Sequence, residues 1–185
     1  KLFLFMNVSL DGYFEGAGHD ISHFHNEENP FEAYSSEEGG GVDALLFGHT
    51  TYDMMKSYWP TPQARQSAPE IAQFMNAKHK YVASHRPFEP GWQNVTVLAG
   101  DVVHAVRTLK SQPGKTIAMF GSNTLCVSLM QAGLVDEFQI MLNPVVLGQG
   151  TTLFAGLPNP SGLRLTHLRR FTSGTVLLTY VPGDA

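Results

Sequence analysis

The feature that most constrains this sequence is an arrangement that occurs twice: an apolar run, a glycine and then a helical pattern. In one copy residues 116–120 (TIAMF) precede Gly121, and Ser122 or Asn123 can cap the helical pattern that follows. In the other copy residues 43–47 (DALLF) precede Gly48. Each copy predicts a buried strand, a tight turn and a helix. Because the first amides of a helix carry partial positive charge, an anion such as a diphosphate fits both turns.

Composition limits the classes of protein to consider. The chain has 185 residues, and we expect one domain over residues 1–185. Its 43% hydrophobic and 15% charged residues exclude a disordered chain. The net charge of -4, without a basic run, indicates no nucleic-acid partner, and the absence of a long apolar run indicates no membrane partner. The one cysteine, Cys126, fits a reducing compartment, so we expect a cytoplasmic protein.

Polar residues follow a third apolar run, residues 80–83. Ser84, His85 and Arg86 place a hydroxyl, an imidazole and a guanidinium at its carboxyl end. An arginine can hold a phosphate through paired hydrogen bonds, which suits the extra ribose phosphate of NADP. An exposed loop arginine without a ligand explains this segment equally well. The helix start after Gly48 adds a possible cation and two hydroxyls, from His49, Thr50 and Thr51.

The first predicted strand, residues 2–8, leads into a loop rich in glycine and aromatic residues. Glycines permit movement there and Tyr13 offers a flat face, which is typical of a substrate lid. Asp11 is either an acidic group near the substrate or a turn-capping residue. Further on, His19, His23 and His25 match no zinc spacing, and we expect no metal site.

Strand and helix patterns alternate along the chain and end in two strands, residues 163–171 and 175–181, around Gly174. The short connection at Gly174 indicates an antiparallel pair. The whole order predicts an α/β sheet with helices on both faces and a ligand at the carboxyl ends of its strands.

Five motifs, in this order, resemble a single family: NVSLDGYFEG, LLFGHTTYDMM, VASHRPF, MFGSNTL and VDEFQIMLNPVVLGQGTTLF. The chain looks like a stand-alone member of the dihydrofolate reductase-like group that includes the C-terminal reductase domain of bacterial riboflavin biosynthesis enzymes. The resemblance covers nearly the whole chain. It implies a mixed, mostly parallel central sheet of about eight strands, with helices on both faces and an antiparallel C-terminal strand pair. It also implies a homodimer.

The resemblance further implies an oxidoreductase with NADPH as the hydride donor. The implied cofactor contacts are Gly48, His49, Thr50 and Thr51 near the phosphates, Ser84, His85 and Arg86 near the ribose phosphate, and Gly121, Ser122, Asn123, Thr124 and Leu125 along the diphosphate and nicotinamide. The substrate would be a small pterin-like or pyrimidine-like heterocycle over the exit of the first strand. Its implied contacts are Asp11, as the catalytic acidic group, and Asn7, Ser9, Tyr13 and Glu32.

One departure from the family bears on the substrate. Tyr13 stands where the riboflavin enzymes usually carry lysine, so a contact to a phosphoribosyl group is lost. The leading hypothesis is reduction of a pterin-like or pyrimidine-like compound, with 5-amino-6-(5-phosphoribosylamino)uracil as one candidate. The alternatives are a dihydrofolate reductase and a non-catalytic NADPH-binding module.

Overall fold

The computed structural model describes residues 1–24, 41–114 and 116–183. These residues form two compact units, and the first takes in the described residues between 41 and 122. The second unit contains residues 2–24 and 123–183. The sequence pattern also predicts a helix over residues 29–38, and both this stretch and the substrate contact predicted for Glu32 lie outside the described residues.

Four parallel strands form the sheet of the first unit. They are β3 (Ala44–Gly48), β4 (His79–Ser84), β5 (Val95–Ala99) and β6 (Ile117–Met119). Their order is β5, β4, β3, β6. Every residue of β3 is buried, as expected for a parallel strand that is covered on both faces. Because parallel strands end at the same edge, the turns after β4, β3 and β6 are neighbours there.

Among its described residues the first unit also contains four helices: α1 (His49–Tyr58), α2 (Pro62–Ser67), α3 (Pro69–Ala77) and α4 (Val102–Ser111). The sequence pattern after Gly48 predicts α1, but nothing in the sequence pattern predicts α2. The structure shows why a helix forms there. The Thr61 side chain accepts a hydrogen bond from the Ala64 amide and caps α2, and proline occupies its first turn.

The second unit holds strands β1 (Leu2–Ser9), β7 (Glu137–Asn143), β9 (Leu163–Arg170) and β10 (Val176–Pro182), and helix α5 (Asn123–Gln131). Strand β7 is parallel to β1 and antiparallel to β10, which pairs in turn with β9. A separate antiparallel pair joins β2 (Tyr13–Glu15) to β8 (Thr151–Thr152). Burial raises the pKa of Cys126 in α5 to about 12, so this thiol is inert at neutral pH.

A β-bulge explains the irregular apolar spacing of β9. Leu168 pairs with Leu178, and Leu165 pairs with Tyr180, so Thr166 is the extra residue between the two pairs. The Thr166 hydroxyl donates to the Thr179 carbonyl at 3.1 Å. Because the bulge adds one residue, Leu165 and Leu168 lie on the same sheet face although their spacing is odd.

These two units contribute four main strands each. Their parallel pairings, the helices and the antiparallel pair β9 and β10 confirm the predicted class, a mixed and mostly parallel α/β fold. None of the helices in the described ranges is long and apolar enough to cross a membrane.

Lys80 in β4 is a buried cation of the first unit. It has no exposed surface. Its ammonium group donates to the carbonyls of Lys78 at 2.6 Å and Asn76 at 3.3 Å, and lies 4.5 Å from the centre of the Trp92 ring. Burial lowers the pKa of Lys80 to about 8.

We expect stability to depend on pH through Lys80. The folded chain releases this proton near pH 8, whereas the unfolded chain holds it up to the ordinary value of 10.5. The free energy of unfolding should therefore rise with pH between these values, by at most about 1.4 kcal/mol per pH unit. Urea unfolding of Lys80→Met should lack this rise, and Lys78→Met, a partly exposed neighbour, should keep it. If the free energy of unfolding of Lys80→Met rises equally with pH, Lys80 is not the group responsible.

Candidate functional site

The turns after β3 and β6 touch each other in the first unit. The Gly48 amide donates to the Gly121 carbonyl at 3.3 Å. A Cβ atom on Gly48 would lie 2.6 Å from the Ser122 Oγ, so a side chain at position 48 would displace Ser122. Gly121 has a φ of 73°, a region that favours glycine, and its peptide bond to Ser122 is cis. The structure thus brings together the two turns that the sequence associates with a diphosphate.

Helix α1 begins at the turn after β3 with its positive end open. Its N-cap residue, Gly48, provides no side-chain hydrogen bond, and its first turn contains no acidic residue. Thr50 is exposed and Thr51 is half-buried in this turn. The first amides of a helix have no partner within the helix, so an external anion can accept their hydrogen bonds.

The end of β4 lies beside this helix start, in a group of four residues that we call the α1–β4 cluster: His49, Ser84, Arg86 and Phe88. The buried Ser84 hydroxyl donates to the Arg86 carbonyl at 2.7 Å and lies 3.2 Å from the Nδ1 atom of His49. The His49 and Phe88 rings stack with centres 4.2 Å apart. The Ser84 hydroxyl therefore shapes the turn and is not free to donate to a ligand.

Arg86 supplies an available cation in this cluster. Its guanidinium is exposed and has no hydrogen-bond or ion-pair partner among the described residues. His85 is exposed beside it. A guanidinium without a carboxylate partner keeps its donors for a ligand, and phosphate matches their geometry.

The polar groups at the end of β1 in the second unit have defined orientations. Asn143 of β7 is buried, and its Nδ2 atom lies 2.9 Å from the Met141 carbonyl and 3.4 Å from the Val8 carbonyl. Both neighbours are acceptors, so the NH2 group of Asn143 must face them. The same NH2 group lies 3.1 Å from the Oδ1 atom of Asn7. Asn7 consequently directs its oxygen at Asn143 and keeps its own NH2 group as a donor.

Asp11 fastens two loops of the second unit together. Its carboxylate accepts hydrogen bonds from the Ser9 hydroxyl at 2.7 Å, the Leu147 amide at 3.1 Å and the Gly148 amide at 2.7 Å. The hydrogen bond from Ser9, followed by those from Gly148 and Leu147, lowers the pKa of Asp11 below its ordinary value of 3.8. Asp11 is therefore ionised at neutral pH and carries no proton to donate.

The rest of the first loop is fastened as well. The Leu10 amide donates to the Val145 carbonyl at 2.8 Å, and the Tyr13 amide donates to the Ser9 hydroxyl at 2.9 Å. Strands β2 and β8 pair beyond these contacts. A Cβ atom on Gly150 would collide with the Glu15 carbonyl. These contacts tie the loop along its length, which differs from the freely moving lid expected from its glycines.

The predicted cofactor residues at the start of α5 have different surroundings. The Nδ2 atom of Asn123 lies 3.2, 2.8 and 3.0 Å from the carbonyls of Thr152, Leu153 and Ala155, so its side chain holds the turn after β8. Leu125 is a core residue with 7% exposure, whereas Thr124 is exposed. Any contact from Asn123 or Leu125 to a ligand would therefore come mainly from the main chain.

The histidines near the first loop pair with carboxylates. The Nδ1 atom of His19 lies 2.9 Å from Glu15, and the Nε2 atom of His23 lies 3.2 Å from Asp20. Within the described ranges, no group of three or more His, Cys, Asp or Glu residues could hold a metal ion. His25 lies outside these ranges.

Sequence reasoning missed three residues that orient the candidate site. Asn143 sets the direction of the Asn7 amide, Phe88 stacks on His49, and the carboxylate of Asp53 lies 3.6 Å from the Nε2 atom of His49. Asp53 could have been found from its spacing of four residues from His49 on one helix. Asn143 and Phe88 are distant in sequence from their partners and carry no such signal.

Solved structures of other proteins share this fold. A protein of Shewanella sp. PV-4 assigned to riboflavin biosynthesis superposes with a TM-score of 0.79 and 22% identity, over 99% of both chains. Dihydrofolate reductase from Enterococcus faecalis, solved with NADP(H), superposes with a TM-score of 0.67 and 13% identity, over 99% of this chain and 96% of that one. The fold is therefore of the dihydrofolate reductase-like class.

The family follows from the sequence match. The model of the RibD C-terminal domain matches residues 1–177, so this chain belongs to the RibD C-terminal domain family. The Bacillus subtilis (strain 168) protein YyaP is 29% identical over 181 residues, which cover 97% of this chain and 94% of that protein. This membership confirms the family resemblance and supports an oxidoreductase.

We expect Asp11→Asn to loosen the joined loops. An amide keeps one acceptor oxygen and cannot accept from the Ser9 hydroxyl and both main-chain amides at once. Amide exchange at Leu147 and Gly148 should become faster, as hydrogen-exchange NMR can measure. Asp20→Asn alters a carboxylate that accepts a hydrogen bond from the Ser22 amide, and it should leave the exchange rates at Leu147 and Gly148 unchanged. Unchanged exchange in Asp11→Asn would contradict the fastening role.

Proposed function

We propose that this protein is an NADPH-dependent reductase of a small heterocycle that carries a carbonyl group. The observation that carries the proposal is the close approach of the turns after β3 and β6, where Gly48 leaves no room for a side chain beside Ser122. Membership in the RibD C-terminal domain family supports the same reading. So does the dihydrofolate reductase of E. faecalis, which has the same fold and was solved with NADP(H).

The groups of the first unit fit the chemistry of a dinucleotide phosphate. The open start of α1 offers main-chain amides to a diphosphate, with the hydroxyls of Thr50 and Thr51 in the same turn. Arg86 offers a ribose phosphate a guanidinium that has no partner in the part of the chain that the structure describes. When bound, NADPH would supply the hydride. The protein residues would bind and orient the reactants, which is the main part a protein plays in such reactions.

The groups of the second unit favour a heterocycle with a carbonyl oxygen. Asn7 keeps an NH2 donor whose direction is set by Asn143, and a carbonyl oxygen is its natural partner. Tyr13 is half-buried and adds an aromatic surface. Uracil-like and pterin-like rings meet both requirements. Because Asp11 is ionised and tied to the loop after β7, we assign it a positioning role and expect the proton to come from solvent.

The direct test follows the absorbance of reduced nicotinamide with purified protein and NADPH. The added substrates are 5-amino-6-(5-phosphoribosylamino)uracil, its form without phosphate, and dihydrofolate. Oxidation with a uracil compound supports the proposal, and a preference for the form without phosphate fits Tyr13 in place of lysine. Oxidation with dihydrofolate alone would favour the folate alternative. Binding of NADPH without oxidation on any of the three would favour a non-catalytic binding module.

Gly48→Ala tests the cofactor part of the proposal. The added methyl group displaces the Ser122 side chain and separates the two turns, so we expect the Kd for NADPH to rise on the order of tenfold. Calorimetric titration measures this. The double variant Gly48→Ala, Ser122→Ala removes the colliding hydroxyl and should recover part of the affinity. Gly114→Ala, in an exposed loop with open space around it, should bind NADPH normally. Unaltered affinity in Gly48→Ala would count against a diphosphate at these turns.

Asn7→Asp tests the substrate part. Aspartate keeps an oxygen that accepts from Asn143, but it presents a second oxygen where the NH2 donor stood. We expect KM for the heterocycle to rise roughly 100-fold because a site built to donate a hydrogen bond no longer does so. The Kd for NADPH should not change. Asn159→Asp adds the same charge in an exposed loop and should leave both constants unaltered. A normal KM in Asn7→Asp would rule out the carbonyl contact.

A further inference from the structure

The chain segments around the exit of β1 have an acidic character. Residues 2–24 and 143–162 contain three acidic residues and neither lysine nor arginine. Asp11 is ionised, and each histidine of these segments lies beside a carboxylate, as His19 lies 2.9 Å from Glu15. A proton on such a ring would only balance that carboxylate. These segments therefore offer an anion no excess positive charge.

The arginines of the second unit lie away from this exit. Its described residues contain three arginines, all on β9, and no lysine. One row of paired residues crosses the sheet in the order Asn7, Met141, Leu177 and Arg169. Met141 has no exposed surface and Leu177 is 4% exposed, so a ligand at Asn7 cannot extend over this row to Arg169. Arg170 follows on the opposite face, and the third arginine lies near the start of β9, at the other edge of the sheet.

An internal anion already occupies the neutral donors of these segments. The donors are the Ser9 hydroxyl and the amides of Leu147 and Gly148, and all three donate to the Asp11 carboxylate. The Tyr13 amide donates to the Ser9 oxygen. A phosphate at this place would have to displace the carboxylate from its own partners and remain beside its charge. Main-chain donors therefore do not compensate for the missing basic side chains.

The same segments expose apolar side chains. Leu10 is 63% exposed and Val146 is 66% exposed. Their stretches of chain are neighbours, because the Leu10 amide donates to the Val145 carbonyl at 2.8 Å. The half-buried Tyr13 adds an aromatic ring to the first of these stretches. An uncharged substituent gains from contact with such a surface, whereas an anionic one loses water there without gaining a partner.

We propose that this protein reduces a heterocycle whose substituent carries no negative charge, and that the segments around the exit of β1 reject a phosphate or a carboxylate. This inference rests on the proposed function and names its substrate class. It excludes the phosphorylated uracil compound and also dihydrofolate, because the glutamate tail of dihydrofolate carries two carboxylates. A uracil-like or pterin-like ring with a neutral substituent belongs to the accepted class.

The experiment measures NADPH oxidation by the full chain at ionic strengths of about 10 mM and about 150 mM. The substrates are 5-amino-6-(5-phosphoribosylamino)uracil, its form without phosphate, and dihydrofolate, all with saturating NADPH. The ratio of kcat/KM between the two uracil compounds isolates the phosphate, because both reactions use the same cofactor. We expect the form without phosphate to be preferred by at least about tenfold at the lower ionic strength. The preference should shrink at the higher one, because salt screens the repulsion.

Two variants add the missing positive charge. Tyr13→Lys should lower the preference for the form without phosphate by about tenfold at the lower ionic strength. Val146→Lys should change it in the same direction, and its exposed position keeps the test valid if Tyr13→Lys is unstable. Ser161→Lys is the matched control. It adds the same charge in the exposed turn before β9, at the opposite edge of the sheet, and should keep the preference of the wild type.

The outcomes separate this inference from the proposed function. Equal or better reduction of the phosphorylated uracil or of dihydrofolate at the lower ionic strength would overturn the charge selection and leave the reductase standing. A preference that changes with neither salt nor the two lysine variants would do the same. No oxidation with any of the three compounds would overturn the proposed function, and this inference with it. A preference that falls with salt and in both lysine variants would support it.

Discussion

The contact between Gly48 and Ser122 is the constraint on which the first unit depends. Strands β3 and β6 are parallel and paired in register, with Leu46 opposite Met119, so both chains leave the sheet at the same level. The turns must then share a narrow space, and a Cβ atom at position 48 would occupy it. The absence of a side chain there exposes main-chain amides at the start of α1. Strand pairing and the lack of one methyl group therefore create the close approach of two turns on which the proposed diphosphate contact depends.

In the first unit, two turns are held by a close approach of their main chains. In the second unit, side-chain hydrogen bonds hold the loops in place. Asp11 joins the first loop to the loop after β7, and Asn123 joins α5 to the turn after β8. Both residues were read from the sequence as ligand contacts, yet their polar atoms face other parts of the chain. Their contribution is to hold main-chain segments and neighbouring side chains in fixed positions. A scaffold of this kind orients a reaction without taking part in its bonds.

Hydrogen-bonding capacity separates the groups that can meet a ligand from those that cannot. Ser84 has a single hydrogen and directs it at Arg86, so the serine does not compete for a phosphate. The Arg86 guanidinium and the NH2 group of Asn7 have no hydrogen-bond acceptor among the described residues. A positively charged group and a neutral donor thus remain, and they suit a phosphate and a carbonyl oxygen respectively.

The sequence by itself determined the class of fold and the place of the candidate site. Apolar runs that end in Gly48, Ser84 and Gly121 marked the carboxyl ends of buried strands, because burial on two faces requires such runs and glycine marks the turns. The sequence did not reveal α2, whose cap is a single threonine. Nor did it show that Leu165 and Leu168 share a sheet face, because a bulge shifts the register between them.

Only the tertiary structure decided the role of each polar group. Asn143 contacts Asn7 and Asp11 contacts Gly148 across more than 130 residues, and such partners depend on how strands pair and not on local spacing. Each hydroxyl, amide or carboxylate has few bonding positions, so the distant partner that occupies them determines whether the residue supports the fold or remains available to a ligand.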